Sequence, residues 1–261
     1  MQVNFARVSV ALPMFAAVLV ATRGGAAFSG VTTIGAAWLF LSVVSSYAMA
    51  DSIFFTAARR IGVTTALSIG SMYPLWAALW GTLVGGEPFG WGRAVGTCLA
   101  VAGIVWLVRL SGTTDPERPA AGRAAGVALA IATSILWAAN SVSVKRGAQG
   151  LELPQVNTIR YGIGVLLLLP QMLRERGAGR AVPARRFVPL LPAIVCDAVI
   201  GSVCYVYGLS HTDLAVGATL TSLAPPISVP VGLAVGEETW SVPRFGAVVT
   251  TVAGVVLLVM P

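Results

Sequence analysis

Few side chains in this sequence could do chemistry, and the most unusual of them lies inside a long apolar stretch. Asp197 is the eleventh residue of the 22-residue stretch FVPLLPAIVCDAVIGSVCYVYG, which is long enough to span a membrane. A charge near the middle of a bilayer costs about 3 kcal/mol, so we expect this carboxylate to face a protein interior and to be paired, protonated or wetted. The position predicts substrate binding or proton coupling, with a structural hydrogen bond as the alternative.

Three further side chains are candidates, one on the same predicted helix and two on another. Tyr205 falls on the face of Asp197, together with small residues that leave room for a ligand. Asp51 follows Tyr47 by one turn and lies nearer the end of its own span, where a charge costs less. We expect all four side chains to contribute to a substrate site or a proton path.

A second group of polar and aromatic residues lies in another apolar stretch. Trp137, Asn140 and Ser141 share one side of a predicted helix. An aromatic ring beside an amide suits a small amphipathic ligand, and packing with interhelical hydrogen bonds is the alternative. Arg7 and Arg160 stand near helix starts, where they would be either cavity rim or interface anchors.

The motifs of soluble enzymes and metal sites are missing from the sequence. There is no nucleophile elbow, HExxH pair or P-loop, and His211 stands without a second ligand at metal spacing. The three cysteines have neither zinc nor redox spacing. We therefore predict no enzyme activity, no cofactor and no metal site. The net charge of +7 is spread over short loops, which argues against nucleic acid as a partner.

The composition defines the class of protein that must position these residues. Of 261 residues, 56% are hydrophobic and only 10% are charged, with a mean hydropathy of +0.84, which excludes a water-soluble globule. We predict an all-α, multi-pass protein of the cell inner membrane or plasma membrane, surrounded by the lipid bilayer. The predicted helices number about nine and cover residues 3–21, 31–57, 63–85, 89–110, 122–146, 154–175, 187–208, 213–236 and 240–260.

An internal duplication organises these helices. At an offset of 151, the segment from Gly81 to Gly103 matches the segment from Gly232 to Gly254; nearer the start, Gln2 and Arg7 match Gln155 and Arg160 at an offset of 153. The repeats are predicted at 1–110 and 122–261, with a linker at 111–121. They hold four and five helices, so we expect a further helix upstream and an inverted arrangement of two five-helix units.

Repeat-matched residues near the helix ends have structural interpretations. Gly81 and Gly85, with their equivalents Gly232 and Gly236, form GxxxG pairs typical of close helix packing. Pro74 and Pro225 each remove a backbone hydrogen bond in mid-span and predict either a plain kink or a functional hinge. Glu87 and Glu238 follow helix ends, where a carboxylate can hold a loop or cap a helix.

The closing helices of both repeats resemble a known family. The segments PLWAALWGTLVGGEPFGWGRAVGTCLAVAGIVWL and PPISVPVGLAVGEETWSVPRFGAVVTTVAGVVLL are similar to the last helix pair of EamA-type permeases of the drug/metabolite transporter superfamily. GVALAIATSILWAANSVSVKRG resembles the first helix of a repeat in that family. The resemblance implies a transporter and does not indicate its substrate.

We therefore predict a secondary transporter of small organic metabolites or amino-acid-like solutes, working by alternating access. No ATP-binding motif is present, so a gradient would supply the energy, with proton coupling as one form. The alternatives are an intramembrane enzyme acting on lipid-borne groups and a non-transporting membrane scaffold. The distribution of arginines predicts an external C-terminus, whereas the resemblance implies a cytoplasmic one, which we favour. The oligomeric state stays open.

Overall fold

The protein is helical throughout the residues that its structure describes. The computed structural model describes residues 2–87, 90–111, 122–180, 182–223, 227 and 241–259, and no strand occurs among them. We number the α-helices in chain order: α1 Gln2–Arg23, α2 Thr33–Val43, α3 Asp51–Ile61, α4 Val63–Gly70, α5 Tyr73–Leu83, α6 Trp91–Ser111, α7 Arg123–Gly147, α8 Leu153–Gly177, α9 Leu191–Val195, α10 Ser202–His211, α11 Leu214–Thr221 and α12 Val242–Val259. Two π-helical segments, Val44–Ala50 and Cys196–Gly201, join α2 to α3 and α9 to α10.

Within the described ranges, five helical segments are long and apolar enough to cross a membrane. They are Gln2–Ala26, Thr33–Ile61, Arg123–Gly147, Leu153–Gly177 and Val188–His211. Shorter apolar helices occupy Trp91–Leu107 and Val242–Leu257. The predicted all-α membrane fold is confirmed.

The chain folds as two compact units. Unit 1 comprises Met1–Met49 and Ser143–His211, and unit 2 comprises Ala50–Val142 and Thr212–Pro261. Each unit takes helices from both sides of residues 111–121. The repeat boundaries in the sequence and the boundaries of the compact units are therefore different divisions of one chain, and the division into repeats stays a prediction.

In unit 1, two glutamines hold the chain segments that follow neighbouring helices. The side-chain amide of Gln2 donates to the Arg180 carbonyl at 3.0 Å, and its oxygen accepts from the Val182 N–H at 2.7 Å. The fully buried Gln155 donates in the same way to the Ala27 carbonyl at 3.0 Å. Arg180 follows Ala27 by 153 residues, the offset that relates Gln155 to Gln2. The duplication thus places a glutamine at equivalent positions in both repeats, where its side chain binds the backbone beyond a neighbouring helix. We call this contact the glutamine clamp.

The first turn of α8 is capped by local chemistry. The Glu152 carboxylate and the Gln155 side chain form a capping box, and Gln155 Oε1 accepts from the Glu152 N–H at 2.9 Å. Arg23 reaches the same carboxylate at 2.7 Å. The hydrogen bond from Arg23 and the positive charge of its guanidinium hold the pKa of the Glu152 carboxyl below its ordinary value. The contact is therefore present at neutral pH and is lost as the pH falls through the lowered pKa.

In unit 2, α6 and α12 approach each other closely at two glycines. A Cβ on Gly103 would lie 2.6 Å from the Thr251 nitrogen, and a Cβ on Gly254 would lie 2.7 Å from the Ala100 Cα. Gly103 lies opposite Thr251 and Ala100 opposite Gly254, so the two helices run antiparallel. These pairs are equivalent under the offset of 151, and both glycines are required by the close approach.

The predicted helix over 63–85 is divided into α4 and α5. The break falls at Ser71 and Met72, immediately before α5, in which Pro74 is the second residue. Proline has no N–H to donate, and its ring clashes with the carbonyl four residues earlier, here that of Gly70, so a continuous helix is disfavoured. α11 ends at Thr221, which is 151 residues after Gly70. Pro225 lies outside the described residues.

The contact between α6 and α12 yields a stability prediction. Gly254→Ala places a methyl group against the α6 backbone, and overpacking of this kind costs about 1–3 kcal/mol. We expect a lower thermal unfolding midpoint in detergent. Gly177→Ala is the control, because a Cβ at this last residue of α8 meets nothing within 4 Å. Equal midpoints for the two variants would contradict the close contact.

Candidate functional site

An ion pair within unit 1 joins the mid-span acid to α1. Arg7 Nη2 lies 2.6 Å from Asp197 Oδ2, and the Asp197 side chain is 57% exposed against 27% for Arg7. The cation stabilises the carboxylate electrostatically, which reduces the cost of placing either charge within an apolar helix. The carboxylate is thus the more accessible member of the pair.

A row of aromatic rings supports the ion pair. The Arg7 guanidinium carbon lies 5.9 Å from the centre of the Tyr47 ring. Tyr47 stacks on Tyr161 at 6.3 Å between ring centres, and Tyr161 stacks on Phe15 at 5.7 Å. The buried Tyr161 hydroxyl donates to the Ala198 carbonyl at 2.5 Å, next to Asp197 in the chain. The row therefore fixes the backbone that carries the acid.

A second arginine repeats part of this arrangement. Arg160, 153 residues after Arg7, is only 3% exposed, and its Nε donates to Ser42 Oγ at 3.1 Å. Its guanidinium carbon lies 5.9 Å from the Tyr205 ring, the same separation as between Arg7 and Tyr47. Both arginines are functional candidates that the sequence treated only as rim or anchor residues. The signal that could have identified them was their match between repeats.

Tyr205 and Asp197 contact different arginines. Sequence spacing assigned them to one face on the assumption of a continuous α-helix, but Cys196–Gly201 is π-helical. A π-helical turn holds more residues than an α-helical turn, so the angular positions of residues beyond it change. Tyr205 lies over Arg160, whereas Asp197 contacts Arg7.

The two π-helical segments occupy similar places in the two predicted repeats. Val44–Ala50 carries Tyr47, and Cys196–Gly201 begins 152 residues later and carries Asp197. Single π-helical turns inside α-helices are frequent at functional sites, where they redirect side chains. No periodicity in the sequence indicated these segments, because an inserted π turn leaves the apolar run unbroken.

Unpartnered donors lie on α8 near the buried arginine. Asn157 is fully buried, and its Oδ1 accepts from Ser202 Oγ at 2.7 Å, while its Nδ2 has no hydrogen-bond partner among the described residues. The Thr158 hydroxyl also has no hydrogen-bond partner among the described residues. A buried donor without a partner costs about 1–3 kcal/mol, so a ligand or water that accepts from it gains affinity.

The aromatic candidate of the second group lies in unit 2. Trp137 packs beside Phe54 at 5.5 Å and meets Tyr73 edge-on at 6.2 Å between ring centres. A Cβ on Gly70 would lie 2.8 Å from the Trp137 ring. Tyr73 in turn donates to the Ala218 carbonyl at 2.8 Å. The rings therefore surround the break between α4 and α5.

The remaining candidates are in unit 2 as well. Asn140 is 8% exposed, and the buried Ser141 hydroxyl donates to the Trp137 carbonyl at 3.1 Å within its own helix. Asp51 is the half-buried first residue of α3. The structure thus brings Tyr47, Tyr205 and Asp197 into unit 1 and the other predicted contact residues into unit 2.

Glu87 caps a helix from the other repeat. Its two carboxylate oxygens accept from the Leu214 N–H at 2.9 and 2.8 Å, at the start of α11. Gly81 leaves the space for this side chain, since a Cβ there would lie 2.6 Å from Glu87 Oε2. Gly85 lies beyond the end of α5, next to the backbone of Gly81. The equivalents Gly232, Gly236 and Glu238 lie outside the described residues.

Comparisons with known proteins identify the family. The model of the EamA-like transporter family matches residues 1–109 and again residues 124–260. The chain therefore belongs to the EamA-like transporter family and is a multi-pass membrane protein of a transporter class. A solved structure titled "Crystal structure of protein" is similar to this chain, with a TM-score of 0.71 and 19% sequence identity. The match covers 98% of this chain and 87% of the other, so the two share the fold. No curated protein matches the sequence significantly.

The hydrogen bond from Tyr161 to the π-helical segment can be tested separately from its ring stacking. Tyr161→Phe keeps the ring and removes the donor to the Ala198 carbonyl, which should cost about 1 kcal/mol of stability. We expect a lower unfolding midpoint in detergent. Tyr207→Phe, at an exposed ring in the same unit, is the control and should leave the midpoint unchanged. A Tyr161→Phe midpoint equal to that of the control would show that the hydroxyl does not stabilise the segment.

Proposed function

We propose that this member of the EamA-like family is a secondary transporter of small amino-acid-like solutes, which it exposes alternately to the two sides of the membrane. The observation that carries the proposal is the ion pair between Arg7 and the exposed carboxylate of Asp197. Tyr47 adds an aromatic ring beside Arg7, and Tyr205 does the same beside the second arginine, Arg160. Family membership supports transport, and the side chains of the site support the class of solute.

A zwitterionic solute matches this pair in charge. Its carboxylate can replace Asp197 at Arg7, and its ammonium group can replace Arg7 at Asp197, so each charge exchanges one partner for another. A solute with a single charge would leave one member of the pair without a partner, which weakens its binding relative to a zwitterion. The site should therefore favour solutes that carry both charges.

The tyrosine rings and the unpartnered donors are proposed to contact the parts of a solute other than its two charged groups. Aromatic surface accommodates an aliphatic or aromatic side chain, and Asn157 Nδ2 and the Thr158 hydroxyl supply donors that have no partner among the described residues. In unit 2, Trp137, Asn140, Ser141 and Asp51 are proposed to take part later in the transport cycle.

Proton coupling is proposed through Asp197. Protonation of this carboxylate removes its charge, weakens the contact with Arg7 and frees the guanidinium for a solute carboxylate. The proton and the ammonium group of a solute would then compete for the same carboxylate, so that binding of the solute releases the proton. The breaks and wide turns of the helices, at Pro74 and in the π-helical segments, are proposed to act as hinges, and Pro225 is proposed as the equivalent of Pro74.

The role of Asp197 is tested by Asp197→Asn, which keeps the size of the side chain and removes its titration. Asp213→Asn is the matched control, because Asp213 also lies 2.6 Å from an arginine, Arg93, and is partly exposed. In proteoliposomes loaded with radiolabelled amino acids, we expect Asp197→Asn to abolish uphill transport driven by a pH gradient and Asp213→Asn to retain it.

The exchange reaction separates the two proposed duties of the acid. Retained solute exchange with loss of pH-driven uptake assigns Asp197 to proton coupling alone, whereas loss of both assigns it to solute binding as well. Normal pH-driven uptake by a well-folded Asp197→Asn protein would contradict both duties. Flux in none of the proteins, the wild type included, would favour a membrane scaffold.

The preference for solutes with two charges has its own test in Arg7→Gln. In thermal-shift titrations of the wild-type protein, an amino acid should stabilise more than its uncharged-carboxyl amide or its N-acetyl derivative. Arg7→Gln leaves Asp197 without its cation, so binding should shift toward the cationic amide by about a hundredfold relative to the parent amino acid. An unchanged order of the three ligands would contradict the assignment of Arg7 to the solute carboxylate.

A further inference from the structure

Unit 1 contains a cavity whose lining includes neither Arg7 nor Asp197. It has a volume of about 760 Å³ and lies between the first turns of α1, the end of α8 and residues 182–194. Most of its walls are apolar, formed by Phe5, Val10, Met172, Phe187, Leu191 and Ile194. Along α1 it extends from Gln2 to Val10, about 12 Å at the helical rise of 1.5 Å per residue.

One end of this cavity is strongly basic. Arg176 lines the cavity, and four more arginines follow or precede it within residues 174–186, namely Arg174, Arg180, Arg185 and Arg186. All five are exposed, and none of their side chains forms an ion pair or hydrogen bond with any residue in the described ranges. The single acid of this stretch, Glu175, already accepts a hydrogen bond from Gln2 at 2.5 Å. The basic end is therefore not neutralised by the part of the protein described.

The basic end is also held in place. Gln2 binds the backbone on both sides of residue 181, at the Arg180 carbonyl and the Val182 N–H, and it lines the cavity itself. The clamp fixes the chain between α8 and the opposite wall. A ligand would thus meet an apolar groove and a cationic end whose relative positions are set by the fold.

We propose that this cavity holds an acidic phospholipid, with an acyl chain along α1 and the phosphate at Arg176. The apolar walls fit a hydrocarbon chain, and the uncompensated arginines complement an anionic headgroup. Lipid tails are as apolar as the groove, so the tail gains little over the surrounding bilayer, and selection must come from the headgroup charge. The groove positions the lipid, and the arginines select it.

The proposal is tested on the purified full-length protein in detergent by native mass spectrometry. The probes are 1-palmitoyl-2-oleoyl phosphatidylglycerol, the phosphatidylcholine with the same chains, and soluble glycerol phosphate. We expect retention of phosphatidylglycerol over phosphatidylcholine, and a loss of about fivefold in that preference for Arg176→Gln. Arg109→Gln, at an exposed arginine in the last turn of α6, is the control and should keep the preference.

Groove-filling variants separate a lipid site from simple attraction to a basic surface. Ala6→Phe places a ring in the groove and leaves every arginine in place, and Ser9→Phe does the same if the first variant fails to fold. Loss of phosphatidylglycerol retention in the groove-filling variant supports the site. Retention of phosphatidylglycerol that persists in the groove-filling variant would overturn the proposal. So would displacement of the bound lipid by glycerol phosphate as efficiently as by phosphatidylglycerol, or a wild-type protein without a preference for phosphatidylglycerol.

Discussion

The structure depends on the cost of placing charge inside apolar helices. Arg7 and Arg160 lie on helices that are otherwise built to cross a bilayer, and each guanidinium must find partners within the fold. A carboxylate, a serine hydroxyl and two tyrosine rings supply the contacts described for them. α2, the π-helical segments and α10 each present one or more of these partners.

Equivalent residues of the two predicted repeats make equivalent contacts at some positions and different contacts at others. The glutamine clamps, the arginines Arg7 and Arg160, and the glycines of α6 and α12 recur at offsets of 153 or 151, whereas the tyrosines beside the two arginines, Tyr47 and Tyr205, are 158 residues apart. At the offset of 153, however, the equivalent of Asp197 is Val44. One arginine thus faces an acid and the other a serine. A gene duplication produces matched arginines at once, and a single acidic residue in one copy is enough to give them different partners.

Composition and the internal repeat made the all-α membrane class predictable, since apolar runs and matched residues are visible in one sequence. Helix interruptions were less accessible. Pro74 indicated a disturbance, but the break falls at Ser71 and Met72, because proline acts on the preceding turn. The partner of Asp197 could not be deduced, since the repeat related Arg7 to Arg160 without indicating which acid either would meet. The Gly81–Gly85 pair predicted close helix packing, and a Cβ on Gly81 would lie 3.2 Å from the Leu214 Cβ on α11, while Gly103 and Gly254 form a further close contact.

The contact between α6 and α12 has a mechanical consequence. The helices interlock at two points three residues apart, Gly103 with Thr251 and Ala100 with Gly254, each without room for an added carbon atom. Sliding one helix along the other by a single residue, about 1.5 Å, would bring a Cβ onto a glycine. The two helices therefore resist sliding along each other and should move together. Deformation of unit 2 should then concentrate at the break between α4 and α5.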